Sequence, residues 1–279
     1  MQNSYLLFIF PICKDKWKKI DNIIKSKNVK IVDVKRLNLT SIGKFNLIKN
    51  LYHNEKWLGN ENNNFNGLYY KLKSCFNHND KNVLVYSVIS TKTEILILKK
   101  QIRDLCGIGN HSIHTTDNKK DFELLSKYYW NDNTIKFLNL IKESKKKNFN
   151  SLFKKLKTYI KNNRLNNCNI CVIGSSVLSV FNLRECFDID FLSTETKYKN
   201  DDDKIDLSNE YYLNSNFYKK NQLSINEIIS NDKYYFYYEG IKFMSLKLIK
   251  NFKKLRNEDK DKKDILLIER ILNDENYRC

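Results

Sequence analysis

Val172-Ile173-Gly174-Ser175-Ser176, followed after a short helical stretch by Asp188-Ile189-Asp190-Phe191-Leu192, is the part of this chain whose reading decides the fold of its second half. An apolar run ends at a Gly-Ser pair, a helix follows, and a second apolar run opens with Asp-x-Asp. Side chains alternate along a strand, so Asp188 and Asp190 point together while Ile189 and Phe191 face the core. Two carboxylates aimed at one point repel each other unless a cation lies between them. Hard oxygen ligands suit Mg²⁺ (or Mn²⁺), which also holds the phosphates of a nucleoside triphosphate. Gly174 lets a phosphate approach the backbone, and the helix start at Ser175 and Ser176 offers unpaired N–H groups. The alternative is that Asp188 leaves a loop and Asp190 is merely exposed, but burying an unpaired carboxylate between apolar neighbours is costly.

Working outward, Lys204-Ile-Asp-Leu-Ser208 reads as an adjacent strand whose Asp206 is a third carboxylate; Glu210 and Glu239 are alternatives, and Glu239 falls at a turn. Arg184 either reaches a triphosphate or pairs with Glu185 or Asp188. The tail adds a hairpin around Glu239-Gly240 and two helices over 246–255 and 262–272. There Lys250 and Lys253 either neutralise phosphates or form a solvated basic face. Asp261 and Asp264 read as caps and ion-pair partners.

The order hydrophobic strand, Gly-Ser, helix, Asp-x-Asp resembles the signature of the polymerase-β-like nucleotidyltransferase superfamily. The match covers about twenty residues. The resemblance implies a small mixed-sheet domain with C-terminal helices and transfer of a nucleoside monophosphate to an RNA, protein or small-molecule acceptor. It also implies Mg²⁺ or Mn²⁺ on Asp188, Asp190 and Asp206, and nucleotide contacts from Gly174, Ser175, Ser176, Arg184 and Lys253. A nucleotide- or nucleic-acid-binding module whose catalytic site has decayed is the second reading.

The first half alternates strands and helices, the pattern of an α/β sandwich. Strands are expected at 6–12, 29–39, 82–90 and 111–115, and helices at 15–26, 40–52, 68–76, 93–105 and 121–130. Gly107-Ile108-Gly109-Asn110-His111-Ser112-Ile113-His114-Thr115-Thr116-Asp117 resembles the nucleoside diphosphate kinase pattern around its phosphorylated histidine. The resemblance implies a kinase-like sandwich, with His114 as nucleophile and Arg103 on phosphate. Two departures favour the fold over the activity: Phe10-Pro11-Ile12 lacks the lysine of that family's first strand, and Thr115-Thr116 replaces Gly-Ser. A phosphotransferase acting through His114 is the third reading. His111 and His114, three apart on one strand, are expected to face opposite sides.

The charged run Lys-Glu-Ser-Lys-Lys-Lys-Asn starting at 142 marks the expected boundary between domains 1–145 and 146–279, or else the exposed face of one long helix. With 279 residues, 41% of them hydrophobic, the chain can bury a core in each half. A net charge of +18 favours an anionic partner such as RNA. Lysines occur in every segment, however, as compositional drift would also produce. The Cys168-x-x-Cys171 pair lacks a second ligand pair and reads as core. Scattered cysteines, no apolar run long enough to span a bilayer and no leader pattern lead to an expectation of a cytoplasmic protein without a membrane partner.

Overall fold

A computed structural model of the chain describes residues 2–27, 29–77, 80–195 and 203–278. It is mixed α/β with two sheets, divided into compact units Met1–Trp130 and Asn131–Cys279. No helix of the described residues is long and apolar enough to cross a membrane.

The first unit runs β1 (Asn3–Ile9), α1 (Trp17–Lys25), β2 (Lys30–Asn38), α2 (Ser41–Leu51), α3 (Asn66–Cys75), β3 (Asn82–Ser90), α4 (Lys92–Cys106), β4 (Ile113–Thr115) and α5 (Lys119–Tyr129). Its sheet has the order β2-β3-β1-β4, with every pair antiparallel. Central β1 is buried on both faces. Tyr5, Leu7 and Ile9 pack with Ile20 and Ile24 of α1 and Leu98 and Ile102 of α4. On the opposite face Phe8 meets Tyr129 of α5 edge-on. β1 stops at Ile9, short of the expected 12, because Pro11 has no N–H for the ladder and opens a 3₁₀ turn. Local caps match the pattern: Thr40 accepts from the Gly43 amide, and Thr91 and Glu94 form a capping box on α4.

The second unit runs α6 (Asp132–Leu140), α7 (Lys147–Asn162), β5 (Ile170–Val172), α8 (Ser175–Val180), β6 (Ile189–Ser193), β7 (Ile205–Leu207), α9 (Asn209–Asn214), α10 (Asn216–Asn221), α11 (Ile225–Ser230), β8 (Tyr235–Tyr238), β9 (Ile241–Met244), α12 (Leu246–Arg256), α13 (Asp259–Asn273) and α14 (Glu275–Arg278). The sheet order is β7-β6-β5-β9-β8, mixed, with β5–β9 and β6–β7 parallel. Phe149 and Phe153 of α7 pack against Tyr238 and Phe243. Phe137 of α6 stacks on Phe236. Cys171 is fully buried and Cys168 exposed, both as free thiols, so the CxxC serves the core on one side only.

The division between units falls at Trp130, not at the charged run. α6 packs on β8, and the run itself is pinned inside the second unit: Ser144 Oγ donates to the Ser179 carbonyl at 2.9 Å and the Lys145 amide to Asn182 Oδ1 at 2.6 Å. Its charges are solvated while its backbone is held. Expected boundaries 145 and 146 are therefore corrected to 130 and 131. Buried Asn131 fastens this start. Its Oδ1 accepts from the Thr134 amide (2.7 Å) and hydroxyl (2.9 Å), and its Nδ2 donates to the carbonyls of Asp232 (3.1 Å) and Tyr235 (3.2 Å). Asn131→Ala leaves these groups unpaired and is expected to cost about 2–3 kcal/mol. Thermal unfolding of the full chain checks this; a change under about 0.5 kcal/mol would contradict the anchoring role.

Candidate functional site

β6 begins where the sequence places it, and its alternation holds: Ile189 and Phe191 are fully buried, while Asp190 is partly buried on the other face. Asp188 and Asp190 line one open cleft of about 710 Å³ together with Gly174 and Ser175. Gly174 has φ +69°, a conformation L side chains rarely adopt, and a Cβ there would lie 2.7 Å from Asp190 Oδ2. The positive φ favours glycine here, and any side chain would also displace this carboxylate. The nearby hydroxyls make long contacts: Ser175 Oγ to Asp188 Oδ1 at 3.5 Å and Ser208 Oγ to Asp190 Oδ1 at 3.4 Å. No ion pair among the described residues joins Asp188 or Asp190 to a cation.

Asp206 stands directly across from Asp190 in the parallel β6–β7 register. It is exposed and lies off the cleft lining, so it adds charge beside the pair more than it adds a wall. Burial pushes Asp190 up to about 6, with further upward pressure from the negative charges of Asp188 and Asp206. Crowding of this kind is what a divalent cation relieves. No three His, Cys, Asp or Glu side chains among the described residues form a complete metal cage. Mg²⁺ characteristically takes one or two carboxylates and completes its shell with water and substrate phosphate, which two converging aspartates satisfy. The residues fit the ion.

Arg184 and Lys253 both line the cleft. Arg184 is not paired with Asp188: its Nε and Nη2 grip Asp264 at 2.6 and 2.8 Å, and Nη1 donates to the Glu185 carbonyl. Lys253, at 4% exposure, is buried against Asp261 (3.1 Å) and Asp264 (2.7 Å). Ser176 is fully buried and donates to the Asp188 carbonyl at 3.0 Å, holding the loop instead of a ligand. Arg256 joins the same network through Asp261 at 2.6 Å. Asp261 and Asp264 are ion-pair partners as expected, and Asp261 also completes the cap of α13. Helix α8 spans six residues, too short for a strong dipole toward the cleft. Glu239 sits in the hairpin turn and pairs with Lys157, and Glu210 is exposed on α9, so neither enters the cleft. Lys250 pairs with Glu269. Asp201 and Asp202, just before β7 in an acidic run of the sequence, lie outside the described residues.

The sequence reading missed the rest of the lining: Phe187, Arg256, Asp259, Lys260, Lys263 and Leu267. The signal was present on α13, where 260, 263, 264 and 267 fall on one helical face. Without knowing that this face meets the aspartates, it read as solvated charge.

The first unit has its own pocket, about 460 Å³, lined among others by Lys71, Lys99, Arg103, His111 and His114. His111 lies in a 3₁₀ turn, not on β4, so the two histidines open onto one cavity; the expectation of opposite faces is corrected. Burial, together with the charges of Lys99, Lys71 and Arg103, lowers His114 to about 3, so it is neutral at physiological pH. Tyr52 meets it edge-on at 4.8 Å. Lys71 donates to the Asn110 carbonyl at 2.6 Å, while the buried Nε of Arg103 has no hydrogen-bond partner among the described residues. Lys99 and Arg103 are like charges four apart on α4, and Asp117 of the same pocket acts on Lys99 in the opposite sense.

No protein-family model matches the chain, and no curated protein matches its sequence.

The carboxylate crowding carries a stability consequence. An ordinary aspartate titrates near 3.8, so between about pH 4 and 6 the folded protein keeps on Asp190 a proton that the unfolded chain has released. Stability therefore falls as pH rises through that window, and above it the full penalty of about 1–3 kcal/mol applies. Asp190→Asn is expected to melt higher than the wild type at pH 7.5 without metal, and to match it near pH 4. A variant less stable at pH 7.5 would contradict the crowding.

Proposed function

We propose that the second unit is a Mg²⁺-dependent nucleotidyltransferase of the polymerase-β-like fold, moving a nucleoside monophosphate from an NTP to a hydroxyl acceptor. One observation carries the reading: Asp188 and Asp190, crowded and without an ion partner among the described residues, face an open cleft beside a glycine in left-handed backbone. The cleft also presents Lys263 for a phosphate chain, and Lys260, which reaches Glu258 at 3.0 Å. Lys263 has no ion partner among the described residues.

Bound Mg²⁺ would supply charge neutralisation on the phosphates and align the displacement. The acceptor oxygen attacks the α-phosphorus, the bond to the bridging oxygen of the β-phosphate breaks, and pyrophosphate leaves. Our candidate to receive the acceptor's proton is Asp206. Among RNA, protein and small-molecule acceptors, the +18 charge favours RNA.

A second reading rests on the first unit, where three cations surround a neutral histidine in one pocket. This favours a phosphorylated ligand there, on a nucleoside diphosphate kinase-like fold, with His114 able to take a γ-phosphoryl group.

Incubation with α- or γ-labelled NTP, Mg²⁺ and total cellular RNA and protein separates these readings. Label from the α position is expected in an acceptor, falling about 100-fold or more in Asp188→Asn and unchanged in His114→Ala. An acid-labile γ-labelled protein lost in His114→Ala would instead favour the second reading. Tight NTP binding without any transfer would leave a binding module whose catalysis has decayed.

A further inference from the structure

Phe187 is 71% exposed, and no large hydrophobic side chain among the described residues is more so. It meets no other aromatic ring among the described residues. Its backbone is nonetheless fixed, because Cys186 before it and Ile189 shortly after it are both fully buried. The bend at 187–188 turns the ring and the Asp188 carboxylate into the same cleft. From the facing helix α13, half-buried Leu267 enters that cleft too.

The order along α13 gives the cleft a direction. Lys260 and Lys263 come first and Leu267 follows on the same face, seven residues beyond Lys260 or about 10 Å along the axis. Along α13 the lining thus passes from the charged Asp259, Lys260 and Lys263 to the apolar Leu267. A ligand matched to such a site has a phosphate tail and a flat apolar head.

We propose that Phe187 is the stacking platform for the base of the incoming nucleotide, with Leu267 as the second apolar contact. This rests on the nucleotidyltransferase reading of the cleft and names the element that selects a nucleotide over a bare polyphosphate. Stacking uses the face of the ring that every base possesses, so the platform binds all four NTPs and discriminates little among them.

The test uses the full chain with Mg²⁺ and two probes, ATP and inorganic tripolyphosphate, titrated by calorimetry. In Phe187→Ala, ATP is expected to bind roughly five- to a hundredfold more weakly, with tripolyphosphate unchanged. Phe187→Trp serves as a local reporter: its added fluorescence is quenched by each NTP and not by tripolyphosphate. Phe187→Ala binding ATP as the wild type does, or losing ATP and tripolyphosphate equally, overturns the platform. A raised KM for the acceptor with ATP affinity intact overturns it as well, assigning the ring to the acceptor. If wild-type protein binds neither probe and the Phe187→Trp signal is silent, the reading of the cleft itself fails.

Discussion

Repulsion among Asp188, Asp190 and Asp206 is the constraint around which the second unit is arranged. The sheet register forces it: Asp190 pairs across from Asp206, and Asp188 stands one alternate position away. The chain accepts the cost at a place where no ion pair among the described residues answers Asp188 or Asp190. A fold selected for stability alone would answer buried carboxylates with a lysine or arginine. Here the cations that come near are held to other partners.

Those partners explain how the cleft keeps its shape. Arg184, Lys253 and Arg256 are distributed over Asp261 and Asp264, and Arg256 also reaches Glu258 at 3.5 Å. The network ties α12 and α13 to the loop that delivers Asp188. Arg256 draws Asp190 downward, and Asp188 helps hold Arg184 in its charged form. The network thus offsets part of the repulsion without closing the site, which leaves the remainder for a divalent ion and a phosphate chain.

Strands were legible in the sequence wherever one short-range rule decided them. β3, β6 and the β8–β9 hairpin read correctly because alternation and turn residues act within a few positions. The Asp188–Asp190 geometry was legible for the same reason. Three features were not. α6 was missed because its meaning lies in what Asn131 and Phe137 touch on β8, far along the chain. The ion partners of Arg184 and Lys253 were not legible because a charge's partner is a tertiary fact; Asp264 is eighty positions from Arg184. Phe187 drew no notice, since an isolated aromatic in a sequence is ordinarily core. In the first unit the reading of Arg103 and His114 brought together two residues that do share a pocket, while Lys71 and Lys99 emerged only from the fold.

The most direct measurement is electron paramagnetic resonance of Mn²⁺ titrated into the protein with a non-hydrolysable α,β-methylene NTP carrying ¹⁷O at its phosphates. The expected result is one tightly held ion, broadened by the labelled oxygens, absent when Asp188 and Asp190 are both changed to Asn. An ion bound equally well without those two carboxylates, or one that never senses the phosphates, would contradict the central claim.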